Sequence, residues 1–341
     1  MVKVGLIGVG FMGRGHLDNY IQLESEGFPV KLVALCDIDK KKFSDRPIEG
    51  NLDIGNENYD FSKYHLYTDI DEMLEKEELD YVDIALPTYI HAEASIKALN
   101  KGLHVLCEKP MARSSKECAM MIEAAKKNNK KLMIGHCLRF WPAYEYLNEC
   151  IKSGRYGKVL GAYFYRGGST PIWSYQNWLL KRDKSGGALL DQHVHDVDTV
   201  NWLFGKPKAV STIGQIAIEG DGYDVLSTNY LYDGIVVNTQ DDWVLNGDYG
   251  FKMKFRVNFE KGNLIYENGM LKDNPNDGKG FVPEISKDSA YYREIKHFAK
   301  CVIEDKPIEI ATGETSMETI KIAEAEERSA DNEGRFTKVL D

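Results

Sequence analysis

Residues 2–13 read VKVGLIGVGFMG, from Val2 to Gly13. The first half is a short apolar, β-branched run ended by glycine, the pattern of a strand buried on both faces. A helical pattern follows to about Glu26. Gly8, Gly10 and Gly13 stand in GxGxxG spacing at this junction. A strand that turns through glycines into a helix aims backbone amides at an anion and lets it approach closely, so Gly8, Gly10, Phe11, Met12 and Gly13 form a candidate diphosphate cradle. Glycine is common, and a strand–helix turn with no ligand carries the same letters.

Asp37 sharpens the reading. It ends a second strand, VKLVALCD (30–37), near the ~20-residue spacing at which a carboxylate meets the ribose of a dinucleotide. A carboxylate accepts hydrogen bonds from the ribose hydroxyls and repels a 2′-phosphate, which favours NAD over NADP. Lys40, Lys41 and Lys42 nearby keep NADP as the lesser alternative.

Strand and helix patterns continue to alternate. TDIDEML opens a helix with Thr68 as its expected N-cap. YVDIALP, LHVLCE and KKLMIGH read as strands. IHAEASIKALNKG reads as a helix ending at Gly102, and SSKECAMMIEAAKKNN as a helix with a Ser114/Glu117 capping box. Residues 38–66 are polar and read as a surface excursion. This alternation predicts a doubly wound parallel sheet, an α/β domain over 1–136. Beyond about 155 the pattern becomes long alternating runs: KVLGAYFYRG, KAVSTIGQIAIEG, VLSTNYLYD, IVVNTQDDWVL and FKMKFRVNFEKGNLIYE. They predict an open, mostly antiparallel sheet, and residues 137–341 read as an α+β domain. Helical patterns near 288–305 and 313–332 close the chain and could return to the first domain.

Composition bounds the function. The chain has 341 residues and a formal net charge of −10, which argues against nucleic acid or an anionic membrane as the main partner. No apolar run approaches the ~18 residues of a membrane span. The N-terminus enters a strand at once, leaving no room for a signal peptide. Six cysteines occur without a CxxC pair, which fits a reduced, cytoplasmic setting.

The stretch GGALLDQHVHDVD (186–198) carries two histidines and three carboxylates. From Ala188 the pattern predicts one helix. On it Asp191 and His195 are i and i+4 and share a face, while His193 points elsewhere. HxH on a helix splays its imidazoles and no further ligands stand nearby, so no metal is expected. An imidazole–carboxylate pair suits proton transfer.

Taken together, the glycine loop, LPTYIHAEASIKALNKGLHVLCEKPMA, GHCLRFWPAY and GGALLDQHVHDVDTVNWLFGKP resemble the glucose–fructose oxidoreductase/inositol dehydrogenase (Gfo/Idh/MocA) family over nearly the whole chain. The resemblance implies a Rossmann domain followed by an open-sheet domain, with the substrate pocket between them. Members typically oxidise a secondary alcohol of a sugar or cyclitol, or run the reverse. Lys109 matches the family's active-site lysine, and its bond to Pro110 is often cis in relatives. Pro87, Thr88 and His91 match the segment beside the nicotinamide, and Glu108 and Lys109, at the end of the strand, are further cofactor-binding candidates. The resemblance also places Lys109, Asp191 and His195 in one pocket: His195 as acid/base, Lys109 and Asp191 completing a proton relay.

For a small polyhydroxylated substrate the candidates are Arg139, Tyr165, Trp173, Asn177 and Trp178, since aromatic faces and hydrogen-bonding neighbours suit such a ring. Many relatives carry arginine after the tryptophan of NWLL; here Leu179 stands there, with Lys181 or Arg182 as possible substitutes. The alternative to an enzyme is a catalytically silent NAD- and sugar-binding sensor on the same scaffold. A broad open sheet face suits a homodimer or homotetramer.

Overall fold

A computed structural model describes residues 1–44, 50 and 58–340. Part of the excursion expected over 38–66 lies outside the described residues. The chain divides into two compact units: Met1–Cys137 with Asp288–Met317, and Leu138–Lys287 with the residues from Glu318 on.

In the first unit, β1 (Val2–Ile7), β2 (Val30–Cys36), β3 (His65–Tyr67), β4 (Tyr81–Ile84), β5 (His104–Glu108) and β6 (Leu132–Gly135) form one parallel sheet in the order β3-β2-β1-β4-β5-β6. Val4, Leu6, Ile7, Val105 and Leu106 are fully buried, as strands covered on both sides require. The order reverses at β1/β4. Right-handed crossovers then place α1 (Phe11–Ser25) on one face and α3 (His91–Asn100) and α4 (Ser115–Lys127) on the other, with α2 (Ile70–Lys76) beside β2 and β3. The reversal leaves the glycine turn after β1 next to the chain leaving β4.

The helix signals hold with one correction. Ser114 caps α4, its hydroxyl accepting the Glu117 amide at 3.3 Å. The cap of α2 is Asp69 rather than Thr68: Asp69 is the extended residue, and its carboxylate accepts the Glu72 amide at 2.8 Å.

In the second unit, α5 (Pro142–Ser153), α6 (Ala188–Asp191) and α7 (Val194–Phe204) accompany an eight-stranded sheet. Its strands are β7 (Val159–Gly167), β8 (Ala209–Gln215), β9 (Val225–Leu231), β10 (Val236–Asp242), β11 (Lys252–Phe259), β12 (Gly262–Glu267), β13 (Met270–Pro275) and β14 (Thr337–Lys338). They lie in the order β13-β12-β11-β7-β10-β9-β8-β14. Only β7 and β10 pair in parallel. The run over 251–267 is a hairpin, β11 turning at Glu260–Lys261 into β12. One face is the core: Phe164, Phe255 and Tyr266 gather around Tyr144 of α5, with Tyr144 edge-on to Phe255 at 5.0 Å and Phe255 stacked on Tyr266 at 5.6 Å. The opposite face is exposed.

Later in the chain, α8 (Ala290–Ile303) belongs to the first unit, packing beside α1 over β1 and β5. Residues 318–330 of α9 (Gly313–Ala330) belong to the second. Among the described residues no helix is long and apolar enough to cross a membrane. All six cysteines are buried thiols.

Candidate active site

The glycine turn is shaped by close approach. Gly8 sits at φ +95°, and a Cβ there would lie 2.4 Å from the Ala85 carbonyl; a Cβ on Gly13 would lie 1.9 Å from the Gly8 carbonyl. Gly10 is different: among the described residues no heavy atom lies within 4 Å of its Cβ direction. It is the N-cap of α1, and no side chain caps that helix end. Gly10, Phe11 and Met12 are half-buried between fully covered stretches. The first-turn amides therefore face open space, where a diphosphate fits. Asp37 lies beside the turn: its Oδ2 accepts the Val9 amide at 2.8 Å and its Oδ1 the Asp39 amide at 2.9 Å. A carboxylate has lone pairs left for ribose hydroxyls, so these residues fit the dinucleotide that the sequence motif implies.

Lys109 follows β5 directly and is half-buried. The Lys109–Pro110 peptide is cis. Pro87 is half-buried and Thr88 buried, at the start of the 3₁₀ turn Thr88–Ile90 after β4. His91 is buried, with Nδ1 2.8 Å from the Pro110 carbonyl and Nε2 2.7 Å from the Leu86 carbonyl. Its ring thus bridges two backbone segments. Glu108 is buried as well. One oxygen faces His16 Nε2 at 3.0 Å, and the other accepts the Lys109 amide at 3.0 Å.

His16 was not singled out by the sequence. It lies on the buried side of α1, fully covered, with Nδ1 2.9 Å from Asp83. Tyr20 donates to the same aspartate at 2.9 Å. Burial alone would lower the His16 pKa, but Asp83 and then Glu108 hold it well above its ordinary value. Glu294 of α8 completes the group, with ligand-type atoms of His16, Glu108 and Glu294 within 4.8 Å of one another. Burial, and next the Glu108 carboxylate, push the Glu294 carboxyl well up. The available signal was an ionisable residue, His16, at an inward position of an otherwise apolar helix face.

In the second unit, the helix expected from Ala188 is broken. The Ala188 carbonyl accepts the amides of both Gln192 (3.0 Å) and His193 (2.8 Å), and the next bonds, His195 to Gln192 (3.4 Å) and Asp196 to His193 (2.9 Å), each span three residues. The break coincides with two buried polar anchors. Gln192 donates to Asp241 at 3.2 Å; His193 Nε2 lies 3.0 Å from the Glu326 carboxylate and 3.3 Å from the Thr239 hydroxyl. His193 is therefore interior. Asp191 and His195 do not sit one turn apart on a continuous helix. They are nevertheless the only two residues between 185 and 200 that are not buried.

The substrate candidates separate. Trp173 and Trp178 are half-buried and Asn177 is exposed, all on the loop after β7. Asn177 is held in the left-handed region at φ 52°. Arg139 is 3% exposed and makes a bidentate pair with Asp198, at 2.9 and 2.7 Å. Tyr165 faces away from α7: strand alternation points Arg166 at Asp196 of α7 (3.2 Å) and turns Tyr165 to the exposed sheet face, against Tyr249 at 2.6 Å. Arg182 is engaged by Glu327 (2.9 Å) and Asp331 (3.0 Å), and Lys181 is exposed.

Comparison with known proteins agrees with this architecture. Residues 2–136 match a family described as "Oxidoreductase family, NAD-binding Rossmann fold", and residues 144–265 match the "GFO/IDH/MocA C-terminal domain". The chain is 32% identical over 224 residues to a 2,7-anhydro-N-acetylneuraminate hydratase of Mediterraneibacter gnavus, covering 65% of this chain and 55% of the relative. It is 29% identical over 238 residues to a levoglucosan dehydrogenase of Pseudarthrobacter phenanthrenivorans, covering 67% and 58%. The match thus spans little more than half the length of these relatives. A solved levoglucosan dehydrogenase in complex with NADH and levoglucosan superposes with a TM-score of 0.85 at 21% identity, over 100% of both chains.

Proposed function

Because the chain belongs to the Gfo/Idh/MocA oxidoreductase family, with an NAD-binding Rossmann domain, we propose that it moves a hydride between NAD and a secondary alcohol or ketone of a sugar, cyclitol or related polyol. The observation that carries this reading is the pairing of exposures in the second unit: in a run packed as core, only Asp191 and His195 reach the surface. Core positions are not left ionisable and accessible for packing reasons.

The bound nicotinamide supplies the hydride acceptor. The chain supplies the rest. His195 takes the hydroxyl proton as C–H breaks, since an imidazole titrates near neutrality. Lys109 places an ammonium on the same oxygen and stabilises the developing alkoxide. Asp191 hydrogen-bonds substrate or orients the imidazole. Asp37 selects NAD over NADP. Trp173, Asn177 and Trp178 contact the polyol, and Arg139 belongs to the scaffold that holds Asp198.

The test is a panel of sugars, anhydrosugars and cyclitols with NAD, reading reduced nicotinamide and product separately. A hydride transfer lost in His195→Ala and Lys109→Met, with NAD affinity kept, supports the roles. Full turnover in His195→Ala removes it as the base. Tight NAD binding with no product anywhere on the panel favours the sensor. Product without net reduced nicotinamide favours a lyase- or hydratase-type reaction, the activity named for the Mediterraneibacter relative.

The exposed sheet face carries Ile213 (69% exposed), Val236 (59%), Met270 (50%) and Leu231 (45%). This apolar display on one side supports a homodimer or homotetramer joined through that face. Light scattering on Val236→Lys tests it; an unchanged mass rejects the face.

A further inference from the structure

The buried group around His16 ends on the backbone of Lys109. The chain of contacts runs Asp83 to His16 (2.9 Å), His16 to Glu108 (3.0 Å), and Glu108 to the Lys109 amide (3.0 Å). On the other side of the lysine, His91 Nδ1 meets the Pro110 carbonyl at 2.8 Å and its Nε2 ties the ring to Leu86. Lys109 is thus bracketed by two buried side chains, Glu108 on its own amide and His91 on the carbonyl of the next residue, Pro110.

We propose that His16 and His91 are positioning residues: His16 acts through Glu108 on the Lys109 amide, and His91 acts on the Pro110 carbonyl. His16 rides on α1, the helix whose N-terminus forms the diphosphate cradle, so one rigid element sets both the cofactor's phosphates and the lysine's backbone. A flexible lysine needs such a fixed root, because its four-carbon stem has no preferred direction of its own. The charge state agrees with the geometry. Against burial, Asp83 and Glu108 keep His16 cationic, so both ring nitrogens donate. His91 faces two carbonyls while burial pushes its pKa down, so one ring nitrogen donates, and the proposed role places that proton on Nδ1, toward Pro110. Glu294 lies beside His16 and Glu108, and among the described residues its two buried oxygens have no hydrogen-bond partner.

The kinetic part rests on the proposed role of Lys109; the backbone part does not. The variants are His16→Gln, His91→Gln, Glu108→Gln and, as a control in the same cavity, Glu294→Gln. Two quantities are read on the full chain: hydrogen exchange of the Lys109 amide by NMR, and kcat on the substrate found in the panel. In His16→Gln or Glu108→Gln the Lys109 amide exchanges faster and kcat falls about 10–100-fold, the size expected for displacement of a catalytic group by an ångström or less. In His91→Gln kcat falls while the affinity for NAD holds. Glu294→Gln changes neither quantity. In a Lys109→Met background His16→Gln lowers kcat no further, because residues acting through one group are not additive.

Unchanged exchange of the Lys109 amide in both His16→Gln and Glu108→Gln overturns the proposal. So does an equal loss of kcat in Glu294→Gln, which would mark a general packing effect. A stoichiometric metal found in the purified protein by elemental analysis, and lost in His16→Gln, also overturns it, since Nε2 would then ligate the ion rather than hold Glu108. If Lys109→Met turns over normally, the catalytic reading of Lys109 fails, and the amide exchange alone decides the positioning.

Discussion

Asp37 Oδ2 accepts the Val9 amide at 2.8 Å, so the carboxylate proposed to meet the ribose is locked to the glycine turn proposed to hold the phosphates. Asp37→Ala removes both that brace and the ribose acceptor. Charge-assisted hydrogen bonds of this kind contribute about 1.5–3 kcal/mol, so affinity for NAD should fall roughly 10–100-fold. Affinity for NADP should fall less or rise, because the repulsion is gone. Titration of both cofactors decides it; an unchanged ratio between them rejects the role.

Two glycines of the same loop should answer differently to alanine. Gly10 has φ −75° and open space at its Cβ direction, so Gly10→Ala should fold with nearly native melting temperature and bind NAD poorly, the methyl group standing where the diphosphate approaches. Gly13 would drive a Cβ to 1.9 Å from the Gly8 carbonyl, and Gly13→Ala should lower stability itself. Thermal melts with and without NAD separate the two. Equal effects on folding would mean that the space over Gly10 is not the phosphate site.

Arg139 and Asp198 form a buried bidentate pair, and Thr319 donates to Asp198 at 2.8 Å. Asp198→Ala leaves the guanidinium buried without its counter-charge, which costs about 3–5 kcal/mol. Denaturant unfolding measures this. A loss under about 1 kcal/mol would mean that Arg139 reaches solvent or substrate on its own.

Glu294 predicts a pH effect with a defined sign. Burial, then Glu108, raise its folded-state pKa above the ordinary carboxyl value. As pH rises past that ordinary value the unfolded chain ionises first, and the folded state loses stability until its own raised pKa is passed. Glu294→Gln lacks this loss. Relative to the native protein the variant should gain melting temperature as pH rises above the ordinary carboxyl value. His16, also raised, is present in both proteins, so its own alkaline loss largely cancels. A constant difference across the range rejects the assignment.

The sheet of the first unit was legible because its strands are short, continuous and apolar, and because glycine and aspartate mark the turn and the second strand's end. The hairpin at Glu260–Lys261 was harder to read, since two strands and a polar turn share one alternating run. The helix break at His193 was not legible. Its cause is the pull of Asp241 and Glu326, far off in the chain, on Gln192 and His193. Tyr165 was placed among substrate residues by neighbourhood in sequence, whereas strand alternation turns it to the other face. The buried histidine cluster escaped because an isolated His on a helix carries no periodic signal.

By itself the sequence determined what local patterns encode: the order of strands and helices, the glycine turn, the carboxylate after β2 and the lysine after β5. Each depends on residues within one or two elements of each other. Tertiary structure alone decided which ionisable groups are buried and which keep some exposure. That is a matter of long-range burial, where desolvation forces a charge either to find a partner from another element or to remain at the surface. Arg139 found Asp198, His16 found Asp83 and Glu108, and Asp191 and His195 stayed within reach of solvent.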